Sequence, residues 1–230
     1  THDSFLNDIR GRHVRKDHVL AAIRKAGGGP VEEGAVGAGT GTMCYGYKGG
    51  IGTSSRKLPA RQGGYTVGAI VQSNHGGVFQ IAGTRVADLL KENPAAFPFD
   101  SGRPNDPVVQ GSIMIVVATD APLDAKNLER LAQRAGIGIH RTGGYNSNGS
   151  GDFIIAFSTA AEVRVPHRSP APTRTVTVLR NESVSPLFLA AAEAAEEAIL
   201  NSLFKAVRIE GFEKHAAEPL PLDKLKALLK

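Results

Sequence analysis

The residue pair with the most chemical potential in this sequence is Gly111-Ser112. Upstream, residues 91–110 contain four prolines and several turn formers, with neither a helical nor a strand period. That stretch reads as an exposed, mobile connector. Downstream, Ser112-Ile-Met-Ile-Val-Val-Ala-Thr is a continuous apolar run, too short for a helix and fit for a buried strand. On pattern alone, Ser112 reads as an ordinary strand-edge residue. Chemistry offers a second reading. At a loop-to-strand junction the Ser112 hydroxyl could attack the carbonyl of Gly111, and cleavage would leave Ser112 as a new N-terminus. Its α-amine, with an ordinary pKa of about 7.7–8.0, could then serve as general base near neutral pH. A nucleophile activated by an N-terminal amine works in this way.

A second constellation is Asn148-Gly149-Ser150-Gly151-Asp152, at the entry to another apolar run, Asp152-Phe-Ile-Ile-Ala-Phe-Ser-Thr. If that run is a strand near the Ser112 strand, Ser150 and Asp152 point to one side, two residues apart. A hydroxyl and a carboxylate so placed could orient a nucleophile and relay its proton. The plainer reading is a turn with polar residues at a strand entry. Gly37-Ala-Gly-Thr-Gly-Thr lacks the Gly-Lys-Ser/Thr ending of a phosphate loop and reads as a tight turn beside a site. The seven histidines show no metal-ligand spacing, so neither a metal nor a cofactor is expected. His75, after Asn74 at a strand end, could line a pocket but reads first as a surface-turn histidine.

Several elements must position these groups. Asp17 can cap a helix carrying Val19, Leu20 and Ile23, stopped by Gly27-Gly28-Gly29-Pro30. Tyr65 to Gln72 is a β-branched strand, and Tyr45 to Ile51 a second candidate broken by Gly49-Gly50. Asp124 can cap a helix with Leu128, Leu131, Ala132 and Ala135 on one face, and Thr142–Gly151 is a turn-rich loop. The run from Asp152 reads as a buried strand, and Thr173 to Leu179 alternates as a further one. Ser185-Pro186 is a cap followed by proline, opening a long helix with Phe188, Ala191, Ala195, Ile199 and Leu203 on one stripe. Strands and helices come in blocks rather than in strict βαβ alternation, which predicts α+β layers.

Bulk composition narrows the remaining classes. The 230 residues are long enough for a substantial core, and 41% hydrophobic with 21% charged is ordinary for a soluble globular chain. A net charge of +5 from scattered Lys and Arg reads as a solvated surface, not a nucleic-acid patch. The single cysteine, Cys44, permits no intramolecular disulfide. No apolar run has the length of a membrane span, and Thr1-His2-Asp3-Ser4 lacks a signal-peptide core. The expectation is a soluble protein with no membrane or nucleic-acid partner, in a cytoplasmic or periplasmic compartment that the sequence leaves open.

Gly111-Ser-Ile-Met-Ile-Val-Val-Ala-Thr-Asp-Ala-Pro-Leu resembles the processing junction of the L-aminopeptidase/D-amidase/D-esterase family, which includes the β-aminopeptidases. Similar to the same family, and in order along the chain, are five further stretches. They are Leu6-Asn-Asp-Ile-Arg-Gly-Arg-His, Val36-Gly-Ala-Gly-Thr-Gly, Lys48-Gly-Gly-Ile-Gly-Thr-Ser-Ser-Arg, Tyr65-Thr-Val-Gly with Val71-Gln-Ser-Asn, and Gly149-Ser-Gly-Asp. Pro186-Leu-Phe with Glu193-Ala-Ala-Glu-Glu-Ala-Ile adds a sixth. The resemblance implies an α-β-β-α layered sandwich related to N-terminal-nucleophile hydrolases and shared with ornithine acetyltransferases. It implies autoproteolysis before Ser112 into an α-chain-like part, 1–111, and a β-chain-like part, 112–230, that stay together as one structural domain. It further implies release of N-terminal residues from small peptides, amides or esters by a homo-oligomer. Ser112 would match the nucleophile, Ser150 and Asp152 the supporting pair, and Asn74 the oxyanion-stabilising amide. Glu33 and Tyr45 would match the wall around the substrate ammonium group.

Two departures from the family's pattern stand out. Many relatives carry Glu at the position of Asp152, so the proton relay here has a shorter arm. Family precursors also carry a longer stretch before Leu6-Asn-Asp-Ile, so a shortened relative or a fragment is expected. Two other functions stay open at this point. One is an acyltransferase on the same fold, which typically uses Thr as nucleophile. The other is a non-catalytic scaffold that oligomerises through its C-terminal helix.

Overall fold

The computed structural model describes residues 1–91, 111–168 and 171–228. The connector expected at 91–110 lies, from residue 92 on, outside the described residues. Helix α1 (Lys16–Lys25) is followed by a tight hairpin of β1 (Met43–Cys44) and β2 (Tyr47–Lys48). Next come β3 (Gly50–Lys57), β4 (Thr66–Asn74), a small hairpin of β5 (Gln80–Ile81) and β6 (Thr84–Arg85), and α2 (Val86–Leu90). The second half contributes β7 (Ser112–Thr119), α3 (Ala125–Arg141), β8 (Phe153–Ser158) and α4 (Ser185–Phe204). Short strands β9 (Ile209–Glu210) and β10 (Ala216–Ala217) and helix α5 (Leu222–Leu228) close the chain.

The central sheet runs β3-β4-β7-β8. β3–β4 and β4–β7 are antiparallel, and β7–β8 is parallel. The β4–β7 ladder runs from Val67 opposite Thr119 to Asn74 opposite Ser112. Burial alternates along β7: Ile113, Ile115 and Val117 are fully buried, while Ser112, Met114, Val116 and Ala118 are not. The buried face packs under α4, which crosses β3 and β4, and under α3, which lies over β8. Close approach depends on two glycines. A Cβ at Gly52 would collide with the Ala198 carbonyl of α4, and one at Gly138 would press on the Glu196 amide nitrogen at 2.5 Å.

Asp124 caps α3 as expected, accepting from the Asn127 N–H at 2.8 Å. The stripe on α4 is buried at Ala191, Ala195, Ile199 and Leu203. The α+β layering holds. The described residues place one helix layer, α3 and α4, on one face of the central four-stranded sheet, with three two-stranded ribbons around it.

Four expectations need correction. Ser185 is the first helical residue of α4 and makes no cap; Val184 holds that position. Asp17 lies inside α1, whose N-cap is Arg15, and Val19 and Ile23 are exposed. Thr173–Leu179 forms no strand, because it has no neighbouring strand among the described residues to take its hydrogen bonds. The β8 strand is half-buried on one face and exposed on the other. Phe153, Ile155 and Phe157 alternate outward and are 61%, 57% and 45% exposed, on the face opposite the one that α3 packs against.

Candidate active site

Ser112 opens β7 directly across from Asn74, the last residue of β4. Residues opposite one another in an antiparallel pair project to the same face. The Ser112 hydroxyl and the Asn74 amide therefore share the sheet face not covered by α3 and α4.

The parallel neighbour β8 brings its entry segment to the same place. Ser150 Oγ donates to Asp152 Oδ1 at 2.7 Å, and the Ile113 N–H donates to the same oxygen at 3.3 Å. The carboxylate thus joins Ser150 to the backbone immediately after Ser112. Between them, the Gly151 N–H donates to the Gly111 carbonyl at 3.1 Å. A Cβ built on Gly151 would stand 3.3 Å from Ser112 Oγ, so glycine leaves space over the hydroxyl. Gly111 is itself pressed against β4, with a notional Cβ 2.7 Å from His75 Cα and 3.0 Å from the Asn74 carbonyl oxygen. Gly151 was not singled out from the sequence. Its position between Ser150 and Asp152 was the available signal.

Asn74 is nearly fully buried. Its Oδ1 accepts from the Met43 N–H at 3.0 Å and its Nδ2 donates to the His2 carbonyl at 2.8 Å. The side chain is thus held as a donor to a carbonyl oxygen. Behind it sits a buried polar cluster. Tyr45 Oη lies 2.9 Å from both Thr142 Oγ1 and His75 Nε2, and its ring stacks on Phe79. Tyr45 adopts a left-handed φ of 53°, and its N–H donates to the His75 carbonyl. Such strain in a bulky residue persists where its surroundings fix it. Burial pushes the Tyr45 phenol pKa well above its usual value.

His75 corrects the surface-turn expectation, because it is buried by Tyr45, Cys44 and the 142–144 turn. Desolvation lowers its pKa to about 4, so the ring is neutral at physiological pH. Burial raises the adjacent Cys44 thiol to about 12, which leaves it protonated and a poor rival nucleophile.

Glu33 is elsewhere. Its Oε1 accepts from the N–H of Thr53 at 2.6 Å and from the Thr53 hydroxyl at 2.8 Å. Thr53 shares a rung with Ile70 and Val116, four residues from Ser112, or roughly 13 Å along the strand. Tyr45 borders Asn74 through His75, but its hydroxyl is engaged inside the cluster. Among the described residues, no three His, Cys, Asp or Glu side chains converge as metal ligands.

The sequence profile described as peptidase family S58 matches residues 1–217. The chain is similar to the β-peptidyl aminopeptidase BapA of Sphingosinicella microcystinivorans, 41% identical over a 242-residue alignment that takes in 100% of this chain and 59% of that protein. Among solved structures it is similar to the PH0078 protein of Pyrococcus horikoshii OT3, with 45% identity, a TM-score of 0.86 and coverage of 100% of this chain and 60% of that one. It is also similar to the L-aminopeptidase D-Ala-esterase/amidase of Ochrobactrum anthropi, described as a prototype serine aminopeptidase and a variant of the Ntn-hydrolase fold. Here identity is 40%, the TM-score 0.82, and coverage 100% of this chain and 61% of that one. This chain spans about three-fifths of the length of these relatives. It shares the Ntn-hydrolase fold variant. With the profile covering nearly its whole length, this chain belongs to peptidase family S58.

Proposed function

We propose that this chain carries the self-processing nucleophile of a serine aminopeptidase/amidase that releases N-terminal residues from small peptides, amides or esters. The observation that carries the reading is the junction itself. Ser112 begins a strand across from the Asn74 amide, Gly111 O accepts from Gly151 N–H, and the Ser150–Asp152 pair bonds the next backbone amide.

In the first reaction Ser112 Oγ attacks the Gly111 carbonyl carbon. Its proton passes by way of the Ser150 hydroxyl to the Asp152 carboxylate. The negative charge on Gly111 O develops toward the Gly151 N–H, an oxyanion donor already in place. Collapse breaks the Gly111–Ser112 C–N bond, and the departing α-nitrogen takes a proton. An ester between Gly111 and Ser112 Oγ remains, and water hydrolyses it. The 1–111 and 112–230 parts then stay associated through the unbroken β4–β7 ladder and the common core beneath α4.

In the second reaction the freed α-amine of Ser112 accepts the Oγ proton as the hydroxyl attacks a substrate carbonyl. The amine returns that proton to the leaving group, and water resolves the acyl-enzyme. Asn74 supplies a side-chain donor to the substrate oxyanion. The names of the related peptidases fit this chemistry better than acyl transfer. The family resemblance supports a homo-oligomer.

Intact-mass spectrometry and turnover of an amino-acid p-nitroanilide test the reading together. The expected result is two fragments, one starting at Ser112, with Ser112→Ala uncut and inactive. Normal processing or normal turnover in Ser112→Ala would overturn it.

A further inference from the structure

Among the described residues Lys48 is the largest fully buried side chain, and the chemistry above does not use it. Its ammonium donates to three backbone carbonyls: Gly39 at 2.7 Å, Thr42 at 2.8 Å and Gly49 at 2.7 Å. Three protons meet three acceptors, and among the described residues no carboxylate is in direct ion-pair contact with Lys48, although the charge of Asp3 is felt there. A buried cation without a directly paired carboxylate is costly. Desolvation accordingly lowers its pKa to about 8, which still leaves the charge in place at neutral pH. An apolar residue of similar length would avoid that cost but leave three buried carbonyls unsatisfied.

The carbonyls belong to the two segments that frame the Asn74 end of the sheet. Gly39 and Thr42 lie in the glycine-rich turn, and Gly49 links β2 to β3. The Gly49 N–H closes the ring by donating to the Thr42 carbonyl at 3.0 Å. Thr42 immediately precedes Met43, and Met43 pairs with Lys48 across the β1–β2 hairpin. The Met43 N–H reaches Asn74 Oδ1 at 3.0 Å. A backbone N–H can only donate, so whatever fixes Met43 fixes Asn74 Oδ1 as the acceptor and leaves the NH₂ group as the donating end, with one N–H on the His2 carbonyl at 2.8 Å and a second N–H to give.

We propose that Lys48 is a positioning residue for the reaction at Ser112. It gathers the Gly39, Thr42 and Gly49 carbonyls so that Met43 holds Asn74 with its NH₂ group presented as the oxyanion donor. This rests on the aminopeptidase reading. It also assigns a role to the glycine-rich turn, which surrounds a cation of the chain itself.

The test compares the parent with Lys48→Met and Lys48→Gln, each alone and combined with Asn74→Ala. Readouts are processing, kcat and KM on an amino-acid p-nitroanilide, thermal midpoint, and the Asn74 side-chain ¹H–¹⁵N resonances. Lys48→Gln keeps two donors and one hydrogen-bonding chain, so it tests the same link should Lys48→Met fail to fold. The expected result is a kcat loss of at least about tenfold with KM within about twofold, bounded by the roughly 10²–10³ that one oxyanion donor supplies. In the Asn74→Ala background the Lys48 substitution should cost no further kcat, because both act through one group. The Asn74 NH₂ signals should broaden or shift relative to those of the parent. A folded Lys48 variant with parental kcat and unmoved Asn74 signals overturns the proposal, as does an undiminished kcat loss in the Asn74→Ala background. A parent that neither processes nor turns over substrate overturns the aminopeptidase reading instead, and the Asn74 resonances still report on Lys48.

Discussion

At the residue scale, the site joins half-buried polar groups at Ser112, Ser150 and Asp152 to the buried Asn74. Asp152 accepts from Ser150 and from the Ile113 amide, so it both completes the proposed relay and ties two strands. The roles separate by measurement. As members of one relay, Ser150→Ala and Asp152→Asn should each lower turnover nearly as far as the double variant. If Asp152 only holds backbone, Asp152→Asn should lower the melting temperature while the processed enzyme keeps its kcat. Asp152→Glu, which lengthens the arm, should retain more activity than Asp152→Asn. His75 gives a pH prediction. Its folded pKa of about 4 lies below the usual 6.5, so between those values the unfolded chain binds a proton that the folded chain does not. Stability is therefore full above pH 6.5 and falls as pH drops toward 4, by about 3 kcal/mol from this residue. Denaturant titrations from pH 7 to 4 should show that slope, and His75→Asn should flatten it by up to one proton.

At the element scale, strand adjacency assembles the site. β4 and β7 set Asn74 opposite Ser112, and the parallel β8 delivers the 150–152 segment to the same end. The parallel crossover is α3, capped at Asp124 and packed on α4 through Gly138. Asp124→Ala should cost about 1 kcal/mol of stability, the usual worth of an N-cap, with kcat unchanged. Gly138→Val should cost more, because its Cβ meets the α4 backbone, which cannot give way as a flexible side chain would. Thermal melts paired with p-nitroanilide turnover check both. A Gly138→Val melt no lower than that of Asp124→Ala would mean that the two helices can separate without loss.

At the scale of the whole molecule, the core is one-sided. α3 and α4 cover one face of the sheet, and Ile199 of α4 is fully buried. Ile155 of β8 is 57% exposed on the other face. In this 230-residue chain Ile199→Ala should cost about 2–5 kcal/mol, as a core truncation does. Ile155→Ala should stay within about 0.5 kcal/mol, as an exposed substitution does. Equilibrium unfolding of the two variants makes the comparison, and equal losses would mean that the β8 outer face is buried in solution.

Much of this was legible in the chain itself. The Ser112–Thr119 strand, the Asp124 cap, the α4 stripe and the Ser150-Gly-Asp152 spacing are local, and short-range periodicity and capping chemistry determine them. The family's peptide motifs are local too, so they point to Ser112 as the candidate nucleophile without reference to the fold. Tertiary structure decided what depends on distant neighbours. The continuous apolar run after Asp152 hid the fact that only one face of β8 is covered. His75 sits beside Gly76 and Gly77, a context that resembles a surface turn, yet Tyr45 and the 142–144 turn enclose it. The alternation at Thr173–Leu179 could not supply the partner strand that a ladder requires. Lys48 reads as a surface charge until three carbonyls from two segments, the glycine-rich turn and the β2–β3 link, converge on it. In each case local sequence sets what a segment can do, while burial and hydrogen-bond partners arrive from parts of the chain that only folding brings near.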